Sequence, residues 1–358
     1  MRFWRGMKWI DLAAYVGVVG LVLFGVGLTL QPWGWLELFP PTDEGFDTGR
    51  EIGVGLLTGG LIGAALLVID ERREGNRDAH DAEIDARQRR HALAVALTVK
   101  DDLTGMVLVG QDLQGLVVSN RDLSGADLTK ADLTGADLTQ ADLTGADLSL
   151  ANLTEASLLS ANFDRADLNG AILNGVTLTG ANLNGAILNG VTLTGARLMG
   201  AKLIGAYLRG ADLNMAILMD ADLTGANLNG ANLNPASFYK ANLTEANLTE
   251  ANLTGADLTG ADLTGVNLNR ANLNRAYLTG ANLTGAKLNT ANLAEADLNG
   301  ANLNRANLSG ANLTGADLTG ADLSGTKLGG TMWETRSPPR WPSGYAPPVN
   351  AWEGYSGV

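Results

Sequence analysis

From Leu103 to Leu328 an apolar side chain recurs at every fifth position without a break, and it is leucine everywhere except at Val118, Phe163 and Phe238. Two places before it stands a small residue, nearly always Ala from Ala126 onward. Asp or Asn most often lies between the two, and Thr, Ser or Asn and then usually Gly follow. Residues 101–330 are thus 46 pentads in one register. An α-helix cannot carry this pattern, because five steps of about 100° advance each leucine by roughly 140° and scatter the leucines around the axis. A straight strand fails as well, since five is odd and successive leucines would alternate between faces. The chain must turn once per pentad. Ala and Leu, two apart, then share one side, while Asp or Asn and the following pair lie outward or in the corner, where Gly and Asn suit a turn. The spacing predicts a solenoid with an interior of Leu and Ala.

Segments such as Ala-Asp-Leu-Thr-Gly at 131–135 and Ala-Asn-Leu-Thr-Glu at 241–245 resemble the A-D/N-L-X-X unit of the pentapeptide-repeat family. The resemblance implies a mainly β fold, a right-handed quadrilateral β-helix with four pentads per coil. For 46 pentads that means about 11.5 coils and, at ~4.8 Å between strands, a rod of roughly 55 Å. Each leucine then stacks on the residue twenty positions away, so Leu103, Leu123, Leu143, Phe163 and Leu183 are expected in the core, with Phe238 and Leu328. Departures from the unit mark special places. Asp101, Met106, Gln111, Leu116 and Arg121 occupy the Ala position of the first pentads, as expected of a degenerate N-terminal cap. Pro235 replaces Gly and predicts a local bend or bulge. Residues 171–180 and 186–195 are identical, and their fifteen-residue offset puts Ile172 and Ile187 on different faces.

The residues before the repeat read differently. Leu12 to Leu30 and Ile52 to Ile69 are uncharged stretches of 19 and 18 residues, close to the length with which a helix spans a bilayer. They predict an α-helical transmembrane hairpin within residues 1–69. Arg2, Arg5 and Lys8 before the first stretch and Arg72, Arg73 and Arg77 after the second place both termini, and the repeats, in the cytoplasm. A cleaved signal peptide is the competing account of the first stretch. Gly55, Gly59 and Gly63 fall on one helix face, where they suit packing within the hairpin or a homodimer. Residues 70–100 read as a charged stalk helix that turns apolar at Leu93, Val95 and Leu97, so Leu93 and Leu97 are expected to cap the solenoid. His80 and His91 share a face of that helix but make a weak metal motif. After Leu328 the register survives one step to Trp333 and dissolves into a Pro- and Trp-rich segment, 331–358. Trp333 and Trp341 are expected to cover the open end, although Pro339–Pro342 also has polyproline-ligand spacing. The run 341–345, Trp-Pro-Ser-Gly-Tyr, resembles a closing segment of the same family.

Charge bounds the function. The net charge is −13 with no Cys, and residues 101–330 hold 12 basic against 23 acidic residues, which argues against direct nucleic-acid binding. No phosphate loop, nucleophile elbow or paired-histidine metal motif is present, so no enzyme, cofactor or metal is predicted. The expected role is a membrane-anchored rod for protein contacts. Arg197, Lys202, Tyr207 and Arg209, among outward isoleucines and methionines, form the candidate partner surface, although their five-residue steps spread them as a belt over successive faces. The family resemblance also raises an acidic DNA mimic that binds gyrase, for which the nine Asp of residues 101–150 are the source of charge.

Overall fold

The computed structural model describes residues 28–30, 36–38, 87–88, 90–97 and 102–347. The chain divides into two compact units, Met1–Ala82 and Glu83–Val358. In the first, β1 (Leu28–Leu30) pairs antiparallel with β2 (Leu36–Leu38), Thr29 opposite Glu37. The expected first span therefore does not run helically to Leu30. The rest of both expected spans, with Gly55, Gly59 and Gly63, lies outside the described residues. Among the described residues no helix is long and apolar enough to cross a membrane.

In the second unit each pentad from Val107 to Met332 contributes one bridged residue, parallel to residues twenty positions away, as in Asp127↔Asp147 and Asp147↔Asp167. Four pentads therefore close one coil. Each pentad turns through a bond from the Ala-position N–H to the preceding Leu carbonyl, as from Ala131 to Leu128 at 2.9 Å. The residue before that Ala takes positive φ, for example Gly135 at 63° and Lys130 at 58°. A turn of this kind admits Gly most readily, which accounts for Gly as the usual corner residue.

Every backbone N–H of a typical pentad has a destination. Asp127 N–H donates to Met106 O at 2.8 Å in the preceding coil, Leu128 N–H to Asp147 O at 2.7 Å and Lys130 N–H to Ser149 O at 2.9 Å in the next. The remaining donor, Thr129 N–H, goes to the Asp127 carboxylate at 3.1 Å. A buried or half-buried chain that turns this often has no other way to satisfy its polar backbone. Asp or Asn between Ala and Leu is therefore part of the turn and not only a solvated side chain.

Inside, Ala and Leu positions are buried almost without exception. Leu103, Leu123, Leu143, Phe163, Leu183 and Phe238 are at most 1% exposed, and Leu328 is 7% exposed near the last coil. Burial of each leucine contributes about 1.5–3 kcal/mol before chain entropy is subtracted. At the N-terminal end the helix at residues 90–97 closes the core. Leu97 is buried, and Leu93, Ala94 and Met106 pack against the interior. Leu116, in an Ala position, is only 3% exposed because the end coil has room under that helix.

At the other end the register holds through Met332, bridged to Asn312, and Trp333, which is buried. The next bridge is Asp317↔Arg340, an offset of 23, so the last coil is three residues longer than the others. Trp341 and Tyr345 pack on the core end; Trp341 meets Trp333 edge-on at 5.7 Å and stacks on Tyr345 at 5.5 Å. Pro235 breaks the corner ladder twice without breaking the bridges. It has no N–H to give, and the Asn234 carbonyl receives the Asn214 side-chain amide in place of the Met215 backbone N–H.

Candidate interaction surface

The outward residues fall into four columns, one per side of the coil. Arg197 lies between Thr177 and Ile217, Lys202 between Asn182 and Asp222, and Tyr207 between Ile187 and Asn227. The three thus occupy three successive sides of one turn, with Arg209 following Tyr207 on the third. Ile172 bridges Asn152 and Thr192, whereas Ile187 bridges Asp167 and Tyr207, so the duplicated isoleucines stand on different sides. Ile204 and Tyr207 flank the corner at Gly205 and are 42% and 51% exposed; Met215, further on, is 62% exposed. A Cβ placed at Gly200, Gly205 or Gly210 would meet nothing within 4 Å, so these corners are bare.

Replacing Asp or Asn by Lys or Tyr removes the acceptor for the N–H two residues on. At these sites the preceding coil supplies one. Ile204 N–H donates to Asn184 Oδ1 at 2.9 Å and Arg209 N–H to Asn189 Oδ1 at 3.1 Å. The same relay serves Thr194 through Asn174 at 3.2 Å and Asn289 through Asn269 at 3.0 Å, after Thr192 and Lys287. Sequence reasoning missed this relay, although its signal is visible as Asn placed twenty residues before each orphaned donor.

Charge distinguishes this region too. Residues 168–211 contain no Asp or Glu, and Arg197, Lys202 and Arg209 are their only charged residues. None of the three makes an ion pair among the described residues, whereas Arg270 holds Glu250 at 3.1 Å and Arg275 holds Glu295 at 2.8 Å.

The acidic coils at the start behave otherwise. Thr129 and Thr139 donate to Asp127 and Asp137 and hold both carboxyls below their ordinary value of 3.8. Burial pushes Asp132 up, but Thr134, Gln114 and the Arg90 charge together bring it down. Gln114 reaches Asp132 at 2.6 Å, and Arg90, from the capping helix, pairs with Asp112 at 3.0 Å. The bridged acids of this end are distributed over all four sides: Asp127, Asp132, Asp137 and Asp142 each belong to a different column. His80 lies outside the described residues, and no group of three or more metal-ligating side chains occurs among the described ones.

Residues 112–149, 122–158, 146–185, 177–214, 216–255, 256–293 and 291–330 match the family model described as pentapeptide repeats. No curated protein matches the chain. Among solved structures the chain is similar to HetL of the cyanobacterium Nostoc sp. strain PCC 7120, described as a pentapeptide repeat protein involved in heterocyst differentiation regulation. That similarity is 33% identity over 68% of this chain and 95% of HetL, with a TM-score of 0.33. Rfr23, a pentapeptide repeat protein of the cyanobacterium Cyanothece 51142, is 34% identical over 34% of this chain and 90% of its own, with a TM-score of 0.22. Full-length QnrB1, described as a plasmid-mediated fluoroquinolone resistance protein, is 20% identical over 65% of this chain and 93% of its own, with a TM-score of 0.27.

Proposed function

The chain belongs to the pentapeptide-repeat family, whose members fold as right-handed quadrilateral β-helices, and from that premise we propose that it is a non-enzymatic, membrane-anchored scaffold whose coils present surfaces for protein contacts. The observation that supports this most is the belt at 197–209. Its side chains are exposed, its cations are unpaired among the described residues, and the turns beneath it are repaired by Asn184 and Asn189. A solenoid that merely spaced two ends apart would have no use for such a departure from its own unit.

The anchor rests on the sequence. The stretch 52–69 keeps its full 18 uncharged residues, and the first stretch retains 12–27 ahead of β1. Flanking cations favour cytoplasmic repeats. Full-length protein should sediment with membranes after alkaline carbonate extraction, and external protease should spare the repeats in intact cells. Recovery in the soluble fraction would remove the anchor. Crosslinking in cells tests the scaffold itself: partners captured by the full chain should be lost with a chain ending at residue 100. Identical capture by both would overturn the reading.

The DNA-mimic reading is favoured by the nine aspartates of residues 101–150 alone. Duplex DNA carries one charge per about 1.7 Å along its length. The bridged acids of residues 101–150 stand on all four sides of the first coils, and beyond them bridged acids recur more sparsely, as at Asp212 and Asp257. Protection of gyrase by micromolar full-length protein would bring this reading forward; its absence at that concentration discards it.

A further inference from the structure

Residues 168–211 form more than two consecutive coils without an acidic side chain, in a chain of net charge −13. On the scaffold reading, we propose that this belt binds an extended acidic protein segment, its carboxylates on Arg197, Lys202 and Arg209 and an aliphatic side chain between Ile204 and Tyr207.

Three features define that occupant. The unpaired cations stand on three successive sides of one turn, so a single occupant reaching all of them must bend around two corners. An extended chain follows that path, whereas a helix touches one side. The corners it crosses, Gly200 and Gly205, carry no side chain and have no atom within 4 Å of a would-be Cβ, so another backbone can approach closely. Exposed Ile204 and Tyr207 flank the second corner, which adds an apolar contact where the chain bends.

Nucleic acid fits less well. The belt is bounded by Asp167 on one side and by Asp212, Asp220 and Asp222 on the other. Asp222 stands one coil, about 4.8 Å, from Lys202, less than the Debye length of about 8 Å at physiological salt, so a polyanion extending beyond the belt on that side meets repulsion. A short acidic segment stays within it. Only three cations are available, too few for tight phosphate binding.

The test uses full-length protein and an array of dodecapeptides alternating Glu with Leu or Val, each beside its Gln isostere. The comparison probes are a single-stranded oligonucleotide of equal charge and vesicles containing phosphatidylserine. Peptides carrying Glu should bind at least tenfold more tightly than their Gln isosteres, and the preference should vanish in the triple variant Arg197→Gln, Lys202→Gln, Arg209→Gln. The variant Arg270→Gln, Arg275→Gln should retain it, since those guanidinium groups already hold Glu250 and Glu295. Equal binding of Glu and Gln peptides, or tighter binding of the oligonucleotide or vesicles than of any peptide, would overturn the proposal. Cellular crosslinking separates this failure from that of the scaffold. Partners that need the repeats but ignore the triple variant would refute the acidic-segment site while leaving the scaffold standing.

Discussion

At Lys202 and Tyr207 the repeat gives up the side-chain oxygen that each turn ordinarily uses, and Asn184 and Asn189 replace it from one coil earlier. A neutral hydrogen bond contributes about 1 kcal/mol net, so Asn184→Ala and Asn189→Ala should each destabilise their coil by about that amount. Native-state hydrogen exchange should show faster exchange at the Ile204 and Arg209 amides respectively, with coils at 260–300 unchanged. Unaltered exchange would mean that the relay bonds carry no stability. The Asn184 effect should disappear in the Lys202→Asn background, where the turn regains its own acceptor. Pro235 makes a complementary case. The Met215 amide, deprived of its ladder partner, should exchange faster than its neighbours in the wild type, and Pro235→Asn should protect it, because Asn tolerates the positive φ of the other corners and returns the Asn234 carbonyl to the Met215 N–H.

The elements divide into those whose identity is written in the pentad and those set by chain geometry that the pentad does not encode. Period five specified the turning chain, and the Leu and Ala positions specified its interior, because a buried side is a strong and regular signal. Leu97 and Trp333 lie buried at the two ends of the coil, where an open apolar interior requires a lid. The β1–β2 hairpin was not legible, since hydropathy alone reads Leu28–Leu30 as the tail of a span. The three extra residues of the last coil and the Asn relays were also hidden, as each depends on which backbone atoms meet across coils. The placement of Arg197, Lys202 and Tyr207 on successive sides was readable from the five-residue step, but not the reason the turns beneath them survive.

The end coils lend themselves to a test by pH. Asp122, Asp127 and Asp137 at the start and Asp317 and Asp322 at the finish are held below 3.8, chiefly by a Thr or Ser hydroxyl two residues on and then by its backbone N–H. A depressed folded-state value means stability that is fully present above about pH 4 and lost as pH falls through that lower value. Hydrogen exchange at pH 3 against pH 6 should therefore show both ends loosening before the coils at 168–211, which contain no Asp or Glu to titrate. Loosening that begins in the centre would contradict this assignment.

For the repeat unit as a whole, stability is a sum of nearest-neighbour terms between coils, without a dominant hot spot. Phe163→Ala should still cost about 3–5 kcal/mol, because a large side chain leaves a cavity that Leu143 and Leu183 cannot fill. Its loss should show in thermal melting as a low-temperature shoulder or a fall in midpoint. An unchanged melt would mean that the coil collapses around the gap. Removal of residues 241–260 takes out one full coil and should shorten the rod with little change in midpoint, leaving the belt as it was.

The fixed offset of twenty also gives the gene two kinds of length change. Any in-frame loss or gain of five codons keeps the solenoid intact, yet it turns everything downstream by a quarter of a revolution. Only multiples of twenty return each side chain to its former compass bearing. The identical segments 171–180 and 186–195 stand fifteen residues apart, three quarters of a revolution, so Ile187 lies on the side of Tyr207 and Ile172 does not. A lineage can therefore rotate one half of its surface against the other by copying a few codons, without a single substitution in the interior.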